Sequence, residues 1–576
     1  MSLHVPSLSM MADRYAPLNT MEAHGSTNHS SVPCGGDRTI RFLANFHPTI
    51  WGDYFIENYP LPSNLQKSEA CIEKRREELK VEVMNLLKNA NDYLQEMELI
   101  DILQRLGVAY HFEKKIDEIL SQIFKKHMED DDLHAVALRF RLLRQHGYNM
   151  PADVFIKFKE VDGSFKATLR NDVKGLLSLY EAAYLGIPED NLLDEALNFA
   201  KLHLKSMESH MKTPLAVRVL DAFELPLHRR TRRLEAKNYI SIYQQDDRRI
   251  NVVLELAKLD FHILQSIHRE EVRSISMWWK ALGLAKKLTF CRDRVVEGYF
   301  WILGVYFEPH YSRARIYLTK VLALLSIMDD IYDTYGIAQE LQAFTEVIQR
   351  WDIEAADQLD EVYKLYFFNL YNVFKEFEDE LAKEGNFYRV EYLKESVKEL
   401  SRAYLEEVKW RDEGYVPPLK EYLNVSQISS VLVALSCASF VGMGEEATKE
   451  AFDWVTSFPR IIKSGCLICR LLDDVASNEF EHERKHVSSA VHCYIKEHGT
   501  SVQEAYEKLR GMIEDEWKIM NQEYLCMTTM PMSLIRPIIN LTRMAETVYK
   551  KCDSYTHSSS MMKDYIISLL VEPISF

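Results

Sequence analysis

The stretch "RARIYLTKVLALLSIMDDIYDTYG", residues 313–336, decides the fold. Its first sixteen residues read as a helix buried on nearly every side, and then three aspartates arrive together, Asp329, Asp330 and Asp333. Burying an unpaired carboxylate costs several kcal/mol, so a core helix does not collect three of them without a counter-charge. A spacing of four puts Asp329 and Asp333 on one helix face about 6 Å apart, with Asp330 beside them. Two carboxylates on one face are hard oxygen donors, suited to Mg²⁺.

Outward from this stretch the chain repeats the helical pattern. "EACIEKRREELKVEVMNLLKNA" (69–90) and "EDNLLDEALNFAKLHLKS" (189–206) carry apolar residues at three- and four-residue intervals. "LLSLYEAAYLG" (176–186) ends on a glycine stop, with Pro188 beyond it. The 20 glycines in 576 residues are about half the ordinary share. The expectation is an all-α protein of two helical domains, since 576 residues exceed one core. The polar interruption "YQQDDRRIN" (243–251) places the boundary, giving 38–250 and 251–576. Residues 1–37, rich in Ser, Gly and Pro, read as a disordered tail. With Asp13, Glu22 and Asp37 against one internal Arg14, the tail lacks transit-peptide character, which makes the expected location cytoplasmic.

Composition excludes several functions. A net charge of −16 argues against nucleic acid, and the one basic run, "HRRTRR" (228–233), reads as a solvated or interdomain surface. No P-loop and no strand-turn-helix glycine motif supports nucleotide binding. Apolar runs are interrupted by charge, as by Lys320, so no membrane span is expected. The nine cysteines form no framework, and Cys466 and Cys469 are a lone C-x-x-C within a helical pattern.

A second acidic face lies in "CRLLDDVASNEFEHER" (469–484). Asp473, Ser477 and Glu481 stand at i, i+4 and i+8, so a carboxylate, a hydroxyl and a carboxylate share one side. Arg470, one turn earlier, adds a fork suited to phosphate. A third element, "CRDRVVEGYFW" (291–301), offers Arg292 and Arg294 on what reads as a mobile loop. Two metal-binding faces with a cationic clamp suit an anionic diphosphate substrate.

These elements resemble the signatures of plant class I terpene synthases. "DDIYD", "DDVASNEFE" and "RDR" match D-D-x-x-D, (N/D)-D-x-x-(S/T)-x-x-x-E and R-x-R. "RFLANFHPTIWGDYF" (41–55), "RFRLLRQHGYNMPADVF" (139–155) and "GYFWILGVYFEPHYSRAR" are similar to further family stretches, and the likeness covers about 38–576. The resemblance implies an N-terminal barrel-like helical domain on a C-terminal catalytic bundle. It implies that Asp329 and Asp333 bind two of three Mg²⁺ ions, with Mn²⁺ a possible substitute, and that Asp473, Ser477 and Glu481 hold the third. Arg292, Arg294 and Arg470 would bind the diphosphate, and Asp330 would orient its neighbours. Trp301 and Tyr555 match aromatic pocket positions. "YKKCDSYTHSSSMMKD" (549–564) resembles the lid loop, where Asp553 matches a position tied to proton transfer.

The wording is most like the angiosperm sesquiterpene cyclases, which implies a monomer acting on farnesyl diphosphate, an isoprenyl diphosphate. Arg41-Phe42 before Trp51 lacks the second arginine of the monoterpene branch, and "EDDD" (129–132) is not D-x-D-D and reads as an exposed helix start. Lys485 after Arg484 departs from the common Arg-Gly. Other readings stay open: a plastidic enzyme using geranyl diphosphate, a chain-elongating prenyltransferase, and an inactive helical paralogue. Ser477 and Glu481 in the second motif oppose the prenyltransferase.

Overall fold

Helices begin and end where capping side chains and glycines stand. The Asp92 and Asp132 carboxylates accept the backbone N–H of Gln95 and Ala135, each at 2.8 Å. Gly283 and Gly414, at φ 68° and 66°, adopt the left-handed conformation that stops the two longest helices. The computed structural model describes residues 46–59, 66–90, 92–126, 131–207, 214–481 and 488–575. The sequence expectations for 1–37, Arg41, Glu129, Asp130, Arg484 and Lys485 lie outside these residues.

The first half carries α1 (Gln66–Lys88), α2 (Tyr93–Arg105), α3 (Glu113–Lys125), α4 (Leu133–Gln145), α5 (Val173–Ala183), α6 (Asn191–Met207), α7 (Leu215–Glu224) and α8 (Arg232–Tyr243). The second half opens with α9 (Asn251–Leu282), α10 (Val295–Val305), α11 (Ser312–Asp330), α12 (Ala338–Arg350) and α13 (Glu361–Ala382). It continues with α14 (Tyr388–Glu413), α15 (Leu419–Ser429), α16 (Leu432–Val441), α17 (Lys449–Thr456), α18 (Arg460–Glu481), α19 (Ala490–His498), α20 (Val502–Cys526) and α21 (Met532–Val548). Among the described residues the only β pairing is an isolated bridge, Lys159 with Phe165. The fold is all-α, as expected.

Helix α11 is the pivot. Fifteen of its nineteen residues are buried, so each polar group on it needs a partner. Arg315 donates to both Glu271 oxygens at 2.8 Å, and Lys320 pairs with Glu376 at 2.7 Å. α11 packs against α10 and α16, α16 against α14, and α18 against α20 and α21. This ring leaves a hollow at its centre.

Two expectations are corrected. Of the two readings of the basic run 228–233, the solvated one fails and the one between the halves holds: His228, Arg229, Thr231 and Arg233 are buried, and the run meets Glu514 and Asn521. Arg229 forks onto Glu514 at 2.5 and 2.7 Å, and Arg233 stacks on Phe261 at 3.6 Å. Charge in a run signals water only when no carboxylate or ring waits inside. One stretch, 419–441, does match a membrane span in length and composition. It is broken between α15 and α16 and mostly buried, which makes it a core element. Asp132 of "EDDD" is exposed and serves as the N-cap of α4, the exposed helix start that was expected.

Candidate active site

The first aspartate motif straddles a change of helix type. α11 ends at Asp330, and Ile331–Tyr335 forms a π turn closed by Gly336 N–H donating to Ile331 O at 2.8 Å. The regular α spacing expected for Asp329 and Asp333 is therefore widened, a distortion that recurs at functional sites. Both residues still face one polar cavity of about 100 Å³, together with Asp473 and Ser477 from α18. Glu481 closes α18 in sequence, and its side chain lies outside the described residues.

The first counter-charge is in the chain itself. Arg292 donates from Nη2 to Asp329 at 2.6 Å, and from Nε and its backbone N–H to Asp330 at 2.8 and 2.7 Å. Arg470 reaches Asp473 at 3.2 Å, Asp474 at 3.4 Å and Ser429 O at 3.3 Å. Burial works against each of these guanidinium charges, yet Asp330 and Asp329 around Arg292, and Tyr422 and Asp474 around Arg470, hold both pKa values well above the ordinary value. Asp330 is 1% exposed. Its burial, helped by Asp329 and opposed by Arg292, pushes its carboxyl up to about 7.

Arg294 is placed differently from Arg292. It is buried and lines neither cavity of the site. Its guanidinium donates to backbone carbonyls of His47, Asp293, Tyr555 and Thr556 at 2.9–3.1 Å. The expected mobile loop is thus clamped, with residue 47 and the 555–556 segment drawn to one arginine.

An apolar cavity of about 130 Å³ opens from the polar one, and Arg292, Asp329, Arg470 and Asp473 line both. Trp301 and Tyr555 stand in its wall, ring centroids 5.9 Å apart and edge to face. The Tyr555 hydroxyl donates to Ser326 Oγ at 3.0 Å, and burial pushes its pKa up to about 12. Asp553 faces the polar cavity instead, and its Oδ1 accepts the N–H groups of Tyr555 and Thr556 at 3.0 Å. Cys469 reaches the apolar wall as a buried thiol, and among the described residues all cysteines are free.

The opposite wall is the break between α15 and α16. Val431 sits at φ 66°, a conformation that costs a β-branched residue of order 1–2 kcal/mol. It turns the chain so that Ser429, Ser430, Val431 and Leu432 all line the cavity.

Sequence reading missed Glu407, Asp474 and Tyr549. Glu407 accepts from Ser429 Oγ at 2.6 Å, and burial, opposed by Arg470, pushes it up to about 7. Its position beside Leu400, Tyr404 and Val408 on the buried stripe of α14 was the readable signal. Asp474 accepts from Tyr422 at 2.8 Å and Ala490 N–H at 2.7 Å. Tyr549 meets Trp301 at 6.0 Å.

Six carboxylates and two guanidinium groups line the polar cavity. That imbalance, with donors that are all oxygen, fits hard divalent cations and an anion shared with the arginines.

Two family models match the chain: "Terpene synthase, N-terminal domain" over residues 50–223 and "Terpene synthase family, metal binding domain" over 280–519. An alpha-humulene synthase of Zingiber zerumbet is 50% identical, over 94% of this chain and 98% of its own length. A beta-cubebene synthase of Magnolia grandiflora is 48% identical, over 93% and 97%. Among solved structures, limonene synthase with 2-fluorolinalyl diphosphate matches with TM-score 0.88 at 33% identity, over 93% of this chain and all of its own. Isoprene synthase from grey poplar, in complex with three Mg²⁺ ions and dimethylallyl-S-thiolodiphosphate, matches with TM-score 0.81 at 35% identity, over 88% and 98%.

Proposed function

Because the chain belongs to the terpene synthase family, we propose that it is a sesquiterpene synthase that ionises farnesyl diphosphate and cyclises the resulting cation. One observation carries this reading: the acid-rich cavity opens directly onto an aromatic apolar one through Arg292, Asp329, Arg470 and Asp473. The diphosphate and the hydrocarbon of one substrate have adjoining places. The 46–50% identity to named sesquiterpene-forming relatives, valencene and germacrene D synthases among them, supports the fifteen-carbon class.

Asp329 and Asp333 on one wall, and Asp473, Ser477 and Glu481 on the other, would hold three Mg²⁺ ions, with Mn²⁺ as a substitute. Ions bound there supply neutralisation of the charge that develops on the leaving diphosphate, worth several kcal/mol. Arg292 and Arg470 donate to the same oxygens. Asp330 keeps Arg292 oriented through two of its N–H groups. Arg294 positions the 555–556 segment rather than the diphosphate. That segment and Trp301 exclude water, and the ring faces of Trp301, Tyr549 and Tyr555 stabilise a desolvated cation by ~2 kcal/mol. Asp553, tied to backbone N–H groups, shapes the loop that presents Tyr555. The catalytic half is taken to begin at residue 251.

The test is gas chromatography–mass spectrometry after incubation with Mg²⁺ and farnesyl diphosphate, beside geranyl diphosphate. Fifteen-carbon products that vanish with EDTA are expected. Ten-carbon products alone, or none from folded protein, refute the reading.

A further inference from the structure

A separate cavity of about 180 Å³ shares no residue with the two described above. α2, α3 and α4 form one wall, α20 and α21 the other, and the 227–232 segment crosses between them. Seven arginines and four carboxylates line it. Six of the seven have a carboxylate oxygen within 3.3 Å of a guanidinium nitrogen. Arg543 forms no ion pair among the described residues.

All the hydrogen bonds of Arg543 go to neutral acceptors. It donates from Nε to His228 O at 2.6 Å, from Nη1 to Asn540 Oδ1 at 2.7 Å, and from Nη2 to His228 Nδ1 at 3.4 Å. His228 supplies no negative charge either. The Asn521 amide donates to the carbonyls of Tyr184 and Gly186 at 3.1 and 3.0 Å, so its oxygen faces His228 Nε2 at 2.8 Å. That assigns the ring proton to Nε2 and leaves Nδ1 as an acceptor for Arg543. Burial, with Arg543 close by, holds this histidine well below its ordinary pKa and therefore neutral.

The charges that act most on Arg543 are those of Arg232 and Arg536, each itself paired with one carboxylate, Glu308 at 3.3 Å and Glu113 at 3.1 Å. Arg536, Ile539 and Arg543 recur at three- and four-residue spacing on α21, one face of the helix, and all three line the cavity. Arg232 lines it from the crossing segment. The three arginines keep partial solvent exposure. Burial, then Arg232, and more weakly Arg536, push Arg543 down to about 9. A guanidinium in a cavity wall, bonded only to neutral acceptors and flanked by two others, has room for an anionic partner. Its planar fork matches the oxygens of a phosphate, and the cavity is small for a drug-sized molecule.

We propose that this cavity is a second oxyanion site, which takes inorganic phosphate or diphosphate between Arg543, Arg536 and Arg232. Because α2–α4 and α21 both wall it, a bound anion links the two halves of the chain. Diphosphate is also the co-product of the proposed reaction, so the site would report product accumulation away from the catalytic cavity.

Calorimetric titration in EDTA separates this site from the catalytic one. The protein is an Arg292→Ala/Arg470→Ala background, and the probes are inorganic phosphate and inorganic diphosphate. One anion per chain is expected to bind. Adding Arg543→Met should weaken it at least tenfold, while Arg543→Lys should retain part of the affinity. Tighter diphosphate binding assigns the co-product, and equal binding assigns orthophosphate as a sufficient ligand. No heat with either anion, or unchanged affinity in Arg543→Met, overturns the proposal. Wild-type crystals soaked in tungstate give a check that needs no variant. An anomalous peak between Arg543 and Arg536 supports the site, and peaks confined to Arg292 and Arg470 refute it.

Discussion

At the scale of single residues, the carboxylates of the polar cavity divide by what they touch. Asp329 faces the cavity with an arginine at its back. Replacing it with alanine should lower turnover about a thousandfold or more, as expected for losing several kcal/mol of transition-state stabilisation. The circular dichroism spectrum should stay unchanged, and near-normal turnover would remove Asp329 from the metal set. Glu407 gives a pH prediction. Its folded pKa, about 7, lies above the unfolded value of about 4.3. The folded chain therefore holds the extra proton between these limits, and stability falls as pH rises through the window. Glu407→Gln should flatten that slope and be more stable than wild type at pH 8, by on the order of 3–4 kcal/mol. Urea melts in EDTA at pH 5.5 and 8 test this; parallel curves for both proteins refute it. The grouping itself was legible, because Asp329, Asp333, Asp473 and Ser477 meet in one cavity from motifs 140 residues apart. What sequence could not give was direction. Arg292 and Arg294 are two residues apart, yet one faces the aspartates and the other backbone carbonyls, because they approach from the loop before α10 rather than from within a helix.

At the scale of elements, the break at Val431 is the sharpest feature. Val431→Gly relieves a left-handed β-branched residue but loosens the unfolded chain by about 0.5–1 kcal/mol. Stability should change by less than about 1 kcal/mol. Leu432→Gly, one residue on and buried in regular helix, should cost at least about 3 kcal/mol. Equal losses in denaturant titrations would mean that the break is not strained. The helices themselves were readable from their 3.6-residue spacing. The break was not, since "NVSQISSVLVALS" holds no glycine or proline to announce it. The π turn at Ile331–Tyr335 was equally hidden, because its residues suit an α-helix and only packing against α14, where Arg411 donates to the carbonyls of Tyr332, Asp333 and Gly336 at 3.1–3.2 Å, reveals it.

At the scale of the molecule, the halves are joined by buried polar contacts rather than by a thin linker. Asp260 of α9 is 1% exposed, and it accepts from Tyr110 and His111 at 2.9 Å with Arg76 at 3.7 Å, all from the first half. Residues 251–576 expressed alone lose those partners, and with them the Arg229 fork on Glu514. That fragment should be insoluble or lack a cooperative thermal transition. A soluble fragment melting sharply at the temperature of the full chain would show that the second half is self-sufficient. The sequence marked the boundary as polar and left the basic run as solvated or interdomain, because nothing local told that the carboxylates answering Arg229 lie 285 residues or more away. The Arg292–Asp330 contact also bears on descent. Since buried Asp330 holds the loop before α10 while Arg292 also faces the site, selection for foldability alone would preserve the pair in a gene copy that has ceased turnover. Decay in such a lineage would surface first at cavity-facing positions that anchor nothing, so an unbroken Arg292–Asp330 pair by itself records structure rather than use.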